Sequence, residues 1–333
     1  MRAIEIPKYG PPEVLRVVEK PDPVVGPGQV LVDVAAAGVN FADTMARVGL
    51  YADAPNPPMV VGYEVAGTIA AVGEGVDAAR VGQRVMAGTQ FGGYASRVAV
   101  PERDAVPLPE RLSFEEGAAI PVNYATAWAG LVRYGSLEAG EKVLIQAAAG
   151  GVGIAATQLA KHEGAEVWGT ASPGKHDACR DNGVDHPIDY TRDGWWQGLP
   201  PFDLILDAIG GRQFRRSYKM LRAGGRLVAF GASSVSQGEK RNYLKAAPEA
   251  LPMLRGFNLI EQMSSSKAVI GLNMLTLWKD RGTLEPWTKP LTPLIEDGTI
   301  RPVVSDVVPF DRAAEAHRII GERRNIGKVV LVP

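Results

Sequence analysis

One stretch constrains this chain more than any other. Residues 140–153 read Gly140-Glu141-Lys142-Val143-Leu144-Ile145-Gln146-Ala147-Ala148-Ala149-Gly150-Gly151-Val152-Gly153, and a helix-forming run follows through Gln158 and Lys161. An apolar run, a bend of small residues and a helix-length segment are the parts of a strand–turn–helix unit. Backbone N–H groups at the start of such a helix, reinforced by its dipole, favour a pyrophosphate. The missing side chains at Gly150 and Gly151 let phosphates approach the main chain, and Gly153 lets the helix pack close to the strand. The spacing is Ala148-x-Gly150-x-x-Gly153, with alanine at the first of the three positions of a dinucleotide fingerprint.

The surrounding rhythm supports this reading. Strand-like runs at 143–148, 166–171, 186–190, 202–209 and 226–231 alternate with helical stretches at 152–163, 175–182 and 213–221. A sixth strand is expected at 267–272. Such alternation predicts an α/β unit, a doubly wound parallel sheet of the Rossmann type with helices on both faces. Residues 1–120 differ. Short apolar runs at 29–34, 64–72 and 94–100 are separated by Gly, Pro and Asp, which predicts a β-rich domain. Pro21, Pro23 and Pro27 forbid regular structure across the linker between its first two strands.

The segment 232–266 is less regular and reads as a lid-like loop with one or two helices. Beyond it, helices are expected at 272–280, 293–297 and 312–323, and strands at 301–304 and 327–332. This tail is read as returning to the first domain, which makes that domain discontinuous. With 333 residues available, the division is 1–121, 122–272 and 273–333, the last belonging with the first.

Cofactor choice is read one strand further on. Sites that prefer NADH place an acid about 20 residues after the glycine turn, to hold the ribose hydroxyls. Here that position is Thr170-Ala171-Ser172, without a carboxylate. Ser172 offers a hydrogen bond, Lys175 a positive charge, and Tyr190 ends the third strand. A 2′-phosphate wants donors and cations, so NADPH is expected over NADH. The competing reading makes Lys175 a solvated helix residue.

Composition narrows the remaining classes. The 36 Lys and Arg nearly cancel the 37 Asp and Glu, for a formal net charge of −1, so no bulk field recruits nucleic acid. Residues 1–8 are charged early and lack a long apolar run, so no secretory signal is expected. The uncharged stretches 117–132 and 143–160 are broken by Gly, Pro or polar residues, and no membrane span is predicted. Cys179 is the single cysteine, excluding an intrachain disulfide and pointing to a reducing, cytoplasmic setting; it is read as a small helix residue, not a nucleophile.

At these residues the sequence resembles the medium-chain dehydrogenase/reductase superfamily, specifically its quinone oxidoreductase (zeta-crystallin-like) branch. The run from Gly140 to Lys161 carries the resemblance, with Leu144, Gly150, Gly151, Gly153, Gln158 and Lys161 in place. Further matches are Gly38-Val39-Asn40-Phe41-Ala42-Asp43-Thr44, Gly49-Leu50-Tyr51, Gly62-Tyr63-Glu64-Val65-Ala66-Gly67 and Asn325-Ile326-Gly327-Lys328. Within the branch, Gly169-Thr170-Ala171-Ser172, Lys175-His176, the run from Asn182 to Tyr190 and Lys240-Arg241-Asn242 are similar to the vesicle amine transport protein homologues. The resemblance implies a GroES-like catalytic domain beside the Rossmann domain, a cofactor in the cleft between them, and often a homodimer. It implies Asn40 and Thr126 near the nicotinamide, and Gly150, Gly151 and Val152 facing the pyrophosphate. Ser172, Lys175 and Tyr190 would face the 2′-phosphate, with Phe230, Gly231, Leu272 and Asn325 completing the contacts.

Zinc-dependent members of the superfamily bind metal through Cys and His of the first domain. This chain has neither before His162, and Gly62-Tyr63-Glu64 stands where those members carry Gly-His-Glu. His162, His176, His186 and His317 are scattered and read as surface or packing residues, and Glu64 as structural, so no metal is expected. Oxidising an alcohol needs a Lewis acid to stabilise an alkoxide, whereas a quinone or enone already spreads the incoming charge by conjugation. The expected reaction is hydride transfer to a small lipophilic quinone or enone, assisted by orientation and a hydrogen-bond donor. Tyr51 is the candidate donor, with packing of its loop as the alternative. Asn40 is expected to position cofactor or substrate, and Asp43 to order its loop or cap a helix. Met45 stands where relatives carry a second tyrosine, which makes that corner less polar. Two other readings stay open: a reductase of enoyl thioesters, and a non-enzymatic NADPH-binding regulator or lipid-handling protein.

Overall fold

The computed structural model describes residues 1–234 and 256–333. It begins with an antiparallel pair, β1 (Arg2–Glu5) and β2 (Arg16–Glu19), and the proline-marked stretch after it carries no helix or strand. β3 (Gln29–Val39) leads through α1 (Phe41–Arg47) to β4 (Glu64–Val72), β5 (Arg84–Gly88), β6 (Arg97–Pro101) and β7 (Ala105–Pro107). Along the first half of β3, Val30, Val32 and Val34 point inward while their neighbours are more exposed, the period of a sheet with one buried face. α2 (Phe114–Gly117) and α3 (Pro121–Trp128) then carry the chain into the second sheet.

That sheet contains β8 (Lys142–Ile145), β9 (Glu166–Ala171), β10 (His186–Asp189), β11 (Phe202–Asp207), β12 (Leu221–Ala229) and β13 (Ala268–Gly271). Its strands are all parallel, in the order β10-β9-β8-β11-β12-β13. α4 (Gly151–His162), α5 (His176–Asp181), α6 (Arg212–Met220) and α7 (Leu259–Ser265) fall between strands. Val143, Leu144 and Ile145 are fully buried, as a central strand covered on both faces requires. Strand order reverses between β8 and β11, the place where open parallel sheets of this kind bind ligands.

After β13, the helices α8 (Met274–Arg281), α9 (Glu285–Thr288) and α10 (Thr292–Glu296) fill the seam between the sheets, where Trp278, Leu284 and Trp287 share one core with Ile120 and Tyr124. β14 (Val304–Pro309), α11 (Ala313–Gly321) and β15 (Lys328–Val332) follow. β15 pairs with β3, so the tail closes the first sheet in the order β14-β15-β3-β4-β5-β7, with β6 also on β3. This is the mixed architecture expected: a Rossmann-type parallel sheet and a separate β-rich GroES-like unit to which the tail returns.

Some expected boundaries move. The strand expected at 301–304 lies at Val304–Pro309, because Pro302 has no N–H to donate and the pairing with β15 starts at Val304 opposite Lys328. β8 stops at Ile145 instead of 148, since Ala147 takes a left-handed conformation, φ +56°. β6 begins at Arg97 instead of 94, and β12 at Leu221 instead of 226. Of the lid-like segment 232–266, residues 235–255, including the Lys240-Arg241-Asn242 motif, lie outside the described residues.

Candidate active site

A cleft of about 970 Å³ opens where the two sheets face each other, lined by residues of both. The glycine turn forms one wall. Gly150 caps α4 in an extended conformation, its N–H bonded to the Ala147 carbonyl at 2.9 Å. The amides of Gly151, Val152 and Gly153 belong to the first helical turn, where no carbonyl lies four residues back within the helix to receive them. A Cβ on Gly153 would come within 2.3 Å of the Ala147 carbonyl oxygen, so only glycine lets α4 approach β8 this closely. A Cβ on Gly151 would meet the Asn123 amide at 2.6 Å, so glycine also leaves room here for that side chain.

Further along the cleft lie Ser172, Lys175 and Tyr190. Lys175 Nζ donates to the carbonyls of Arg323 at 2.7 Å and Asn325 at 2.6 Å, which ties the parallel sheet's edge to the loop before β15. Its partial burial lowers the pKa of the ammonium. Two of its three N–H donors are engaged in these bonds, leaving one for another acceptor. Gly327 completes the crossing: its N–H bonds the Ala149 carbonyl at 2.8 Å, and its φ of +77° and the Val303 carbonyl, 2.2 Å from a Cβ, exclude any other residue. Phe230, Gly231 and Leu272, from the ends of β12 and β13, line the cleft together with Asn325 and Thr126.

The opposite end is built on α1 and β4. Asn40, Tyr51, Met45 and Tyr63 line it. Asn40 is held at both ends of its amide: Nδ2 donates to Glu64 Oε1 at 3.0 Å, and Oδ1 accepts from Lys328 Nζ at 2.7 Å. Lys328 Nζ also donates to Glu64 Oε1 and, at 3.4 Å, to Asn123 Oδ1, while the other Glu64 oxygen accepts from the Val122 amide at 2.7 Å. Glu64 is therefore a structural hub, as expected. Lys328 is a member of this hub that the sequence reading left in a C-terminal motif without a role.

Asp43 is placed behind the wall and does not line the cleft. It is fully buried, and its carboxyl oxygens accept from the amides of Asn40 and Gly62 at 2.8 and 3.0 Å and from the Tyr94 hydroxyl at 3.0 Å. Its bond to the Asn40 amide is that of a residue capping α1. Arg47 Nε donates to His317 Nδ1 at 3.2 Å, leaving His317 Nε2 to carry the proton toward the Tyr94 oxygen, 3.3 Å away. The chain Arg47–His317–Tyr94–Asp43 thus runs in one donor direction. Burial pushes Asp43 up to about 7 and, with the Arg47 charge, holds His317 down at about 3.

The Tyr63 and Tyr51 rings meet edge to face, with centroids 6.3 Å apart, and Tyr63 lies 5.1 Å from Phe91. Burial pushes Tyr51 up to about 12 and Tyr63 higher still. Buried Tyr63 Oη and Gln146 Nε2 have no hydrogen-bond partner among the described residues, and both side chains line the cleft. Sequence reasoning missed both. In the sequence Tyr63 reads only as a missing histidine, and nothing about Gln146, directly after β8, marks it as facing a cavity. Trp195, which also lines the cleft, was missed as well. Cys179 is buried in α5, where burial raises its thiol to about 11 and denies it a nucleophile's charge.

Two family models match the chain: the alcohol dehydrogenase GroES-like domain over residues 26–110, and the zinc-binding dehydrogenase family over 182–331. The chain is 36 % identical over 341 residues to the synaptic vesicle membrane protein VAT-1 homolog of Rattus norvegicus, covering all of this chain and 84 % of that protein. Its fold is similar to that of Escherichia coli quinone oxidoreductase complexed with NADPH, with a TM-score of 0.85, 30 % identity and all of both chains covered. It is also similar to the CurK enoyl reductase, with a TM-score of 0.84, 25 % identity, and 99 % and 98 % of the two chains covered. The second family description implies a zinc ion, but the donor set here does not fit one. Among the described residues no three His, Cys, Asp or Glu side chains converge on a common point, and Tyr63 and the Lys328-bound Glu64 occupy the stretch where ligands would be expected. The order of strands, the glycine turn in the interdomain cleft and these matches together place the chain in the medium-chain dehydrogenase/reductase superfamily, to which the vesicle membrane protein VAT-1 homologues and the quinone oxidoreductases are its relatives.

Proposed function

We propose that the chain is an NADPH-dependent reductase that passes a hydride to a quinone or an α,β-unsaturated carbonyl without a metal. The observation that carries this reading is the continuity of the cleft. One cavity is lined both by the glycine turn and Lys175 and by Asn40, Tyr51, Tyr63 and Met45. The cofactor fits the first part. Gly150 and Gly151 bring no side chain against a pyrophosphate, the amides of Gly151 and Val152 have no carbonyl within the helix to receive them, and Lys175 and Ser172, with Tyr190, supply the cation and donors that a 2′-phosphate needs. Thr126, Phe230, Gly231, Leu272 and Asn325 also line the cleft and would hold the remaining cofactor surface.

The bound nicotinamide supplies the hydride. Asn40, fixed by Glu64 and Lys328, positions the reacting rings without exchanging protons, because both ends of its amide are already bonded. Met45 and the aromatic wall keep that end apolar, which suits a lipophilic acceptor and excludes water from the reacting carbon. Tyr51, neutral at physiological pH, lends an edge to the acceptor. The acceptor's conjugation spreads the charge, so no Lewis acid is needed. Among the described residues no helix is long and apolar enough to cross a membrane. A lone, buried cysteine suits a reducing compartment, and we place the enzyme in the cytoplasm, as a homodimer.

The test is NADPH oxidation by the purified chain across quinones, enones and enoyl thioesters. Turnover of quinones or enones supports the reading. Turnover of enoyl thioesters alone moves the substrate class, and tight NADPH binding without turnover of any acceptor leaves a nucleotide-binding regulator.

A further inference from the structure

Among the polar groups at the substrate end of the cleft, most are already spoken for. Lys328 Nζ has its three donors on Asn40, Glu64 and Asn123. Asp43 is behind the wall with both oxygens engaged. Tyr63 differs: the residue is 5 % exposed and lines the cleft, yet its hydroxyl bonds to nothing among the described residues. Tyr51, beside it, is half-buried, and its hydroxyl is not one of the buried groups left without a partner among the described residues.

A buried hydroxyl without a partner opposes folding, and phenylalanine would fill the same space without that cost. The ring's contacts with Tyr51 and Phe91 account for an aromatic residue here, but they do not account for the oxygen. We propose that the Tyr63 hydroxyl is a catalytic hydrogen-bond donor, which receives the substrate's carbonyl oxygen and stabilises it as it gains negative charge. This rests on the reductase reading above and names the group that replaces a Lewis acid in it.

For an enone the balance is as follows. Bound NADPH would supply the hydride, two electrons and a proton, by giving up a C4–H bond and becoming NADP⁺, and the hydride forms a C–H bond at the β carbon. The alkene pair shifts toward the carbonyl, whose oxygen becomes an enolate hydrogen-bonded to Tyr63 Oη. A proton from water then adds at the α carbon and gives the saturated ketone. Burial keeps the phenol protonated, so it donates a hydrogen bond throughout and does not surrender its proton. A quinone needs this donor less, because its hydroquinone anion is stabilised by the aromatic ring that forms.

Tyr63→Phe tests the proposal against wild type, using steady-state kinetics with 2-cyclohexenone and with 1,4-benzoquinone, NADPH binding by fluorescence titration, and thermal melting. The expected result is a fall in enone kcat of about 100-fold, the usual effect of removing one donor from a developing oxyanion. KM for NADPH and its Kd are unchanged, Tm is equal or higher, and the quinone rate falls less. An enone kcat within about threefold of wild type overturns the proposal. So does a lower Tm or weaker NADPH binding that accounts for the lost rate. If wild type reduces neither acceptor, the reductase reading fails first, and that outcome is distinct from a normal wild type beside an unaffected Tyr63→Phe.

Discussion

Lys328 and Glu64, 264 positions apart, form a buried ion pair that joins β15 to the start of β4 and clamps Asn40 between them. Their side chains are 3 % and 0 % exposed. The pair binds the chain's tail to its first domain beside the cleft that Lys328 and Asn40 line.

Removing one partner leaves the other charge buried. Lys328→Met is expected to cost about 3–5 kcal/mol of stability. Glu64→Gln combined with Lys328→Met is expected to recover a large part of that cost, because no uncompensated charge remains. Urea denaturation of the two variants decides it, and equal midpoints for single and double variants would show that the pair is not coupled.

Asp43 and His317 give opposite pH slopes. Burial raises folded Asp43 to about 7 from 3.8, so between those values the folded chain holds a proton that the unfolded chain has lost. Stability from this group is complete below about pH 4 and declines by on the order of 4 kcal/mol as pH rises to about 7. Folded His317 stays neutral down to about 3 against 6.5, so the unfolded chain holds the extra proton and stability rises with pH across that window. The two trends offset each other in the wild type. In Asp43→Asn the urea midpoint should therefore rise from pH 4 to 6.5, and in His317→Gln it should fall from pH 4 to 7. Profiles parallel to wild type would mean these groups do not titrate as their burial requires.

Gly153 carries the approach of α4 to β8. Gly153→Ala places a methyl against the Ala147 carbonyl and the Ala148 backbone, which cannot move as a side chain would. A loss of about 1–3 kcal/mol is expected, the usual range for overpacking. NADPH affinity should fall with it, because the amides that face the pyrophosphate shift. Calorimetric melting and NADPH titration of the same sample check both, and an unchanged Tm would mean that the helix yields freely.

Lys175 has one donor left after its bonds to the Arg323 and Asn325 carbonyls. Lys175→Ala should weaken NADPH binding by roughly tenfold or more, on the scale of one charge-assisted hydrogen bond, and NADH binding much less. Parallel titrations with the two cofactors read the difference. Equal losses would assign Lys175 to the interdomain latch alone.

The fold class was legible because it rests on local periodicity. Alternating apolar runs and helix-length segments specify a parallel sheet with covering helices, and the small residues at 147–153 specify a tight strand-to-helix turn, whatever the rest of the chain does. The expected cofactor positions likewise line one cleft, since a turn and the ends of successive parallel strands converge on one edge of such a sheet. Tertiary contacts decided what local pattern could not express. Asp43 looked like a site residue but is buried behind the cleft, because its partners Gly62 and Tyr94 come from other loops. Lys328 acquires its role from a glutamate 264 positions away, and Tyr63 from the absence of any nearby acceptor among the described residues. Burial and hydrogen-bond satisfaction depend on what surrounds an atom in space. The linear order of residues determined the scaffold, and only the assembled scaffold determined which of its polar groups remain free to meet a substrate.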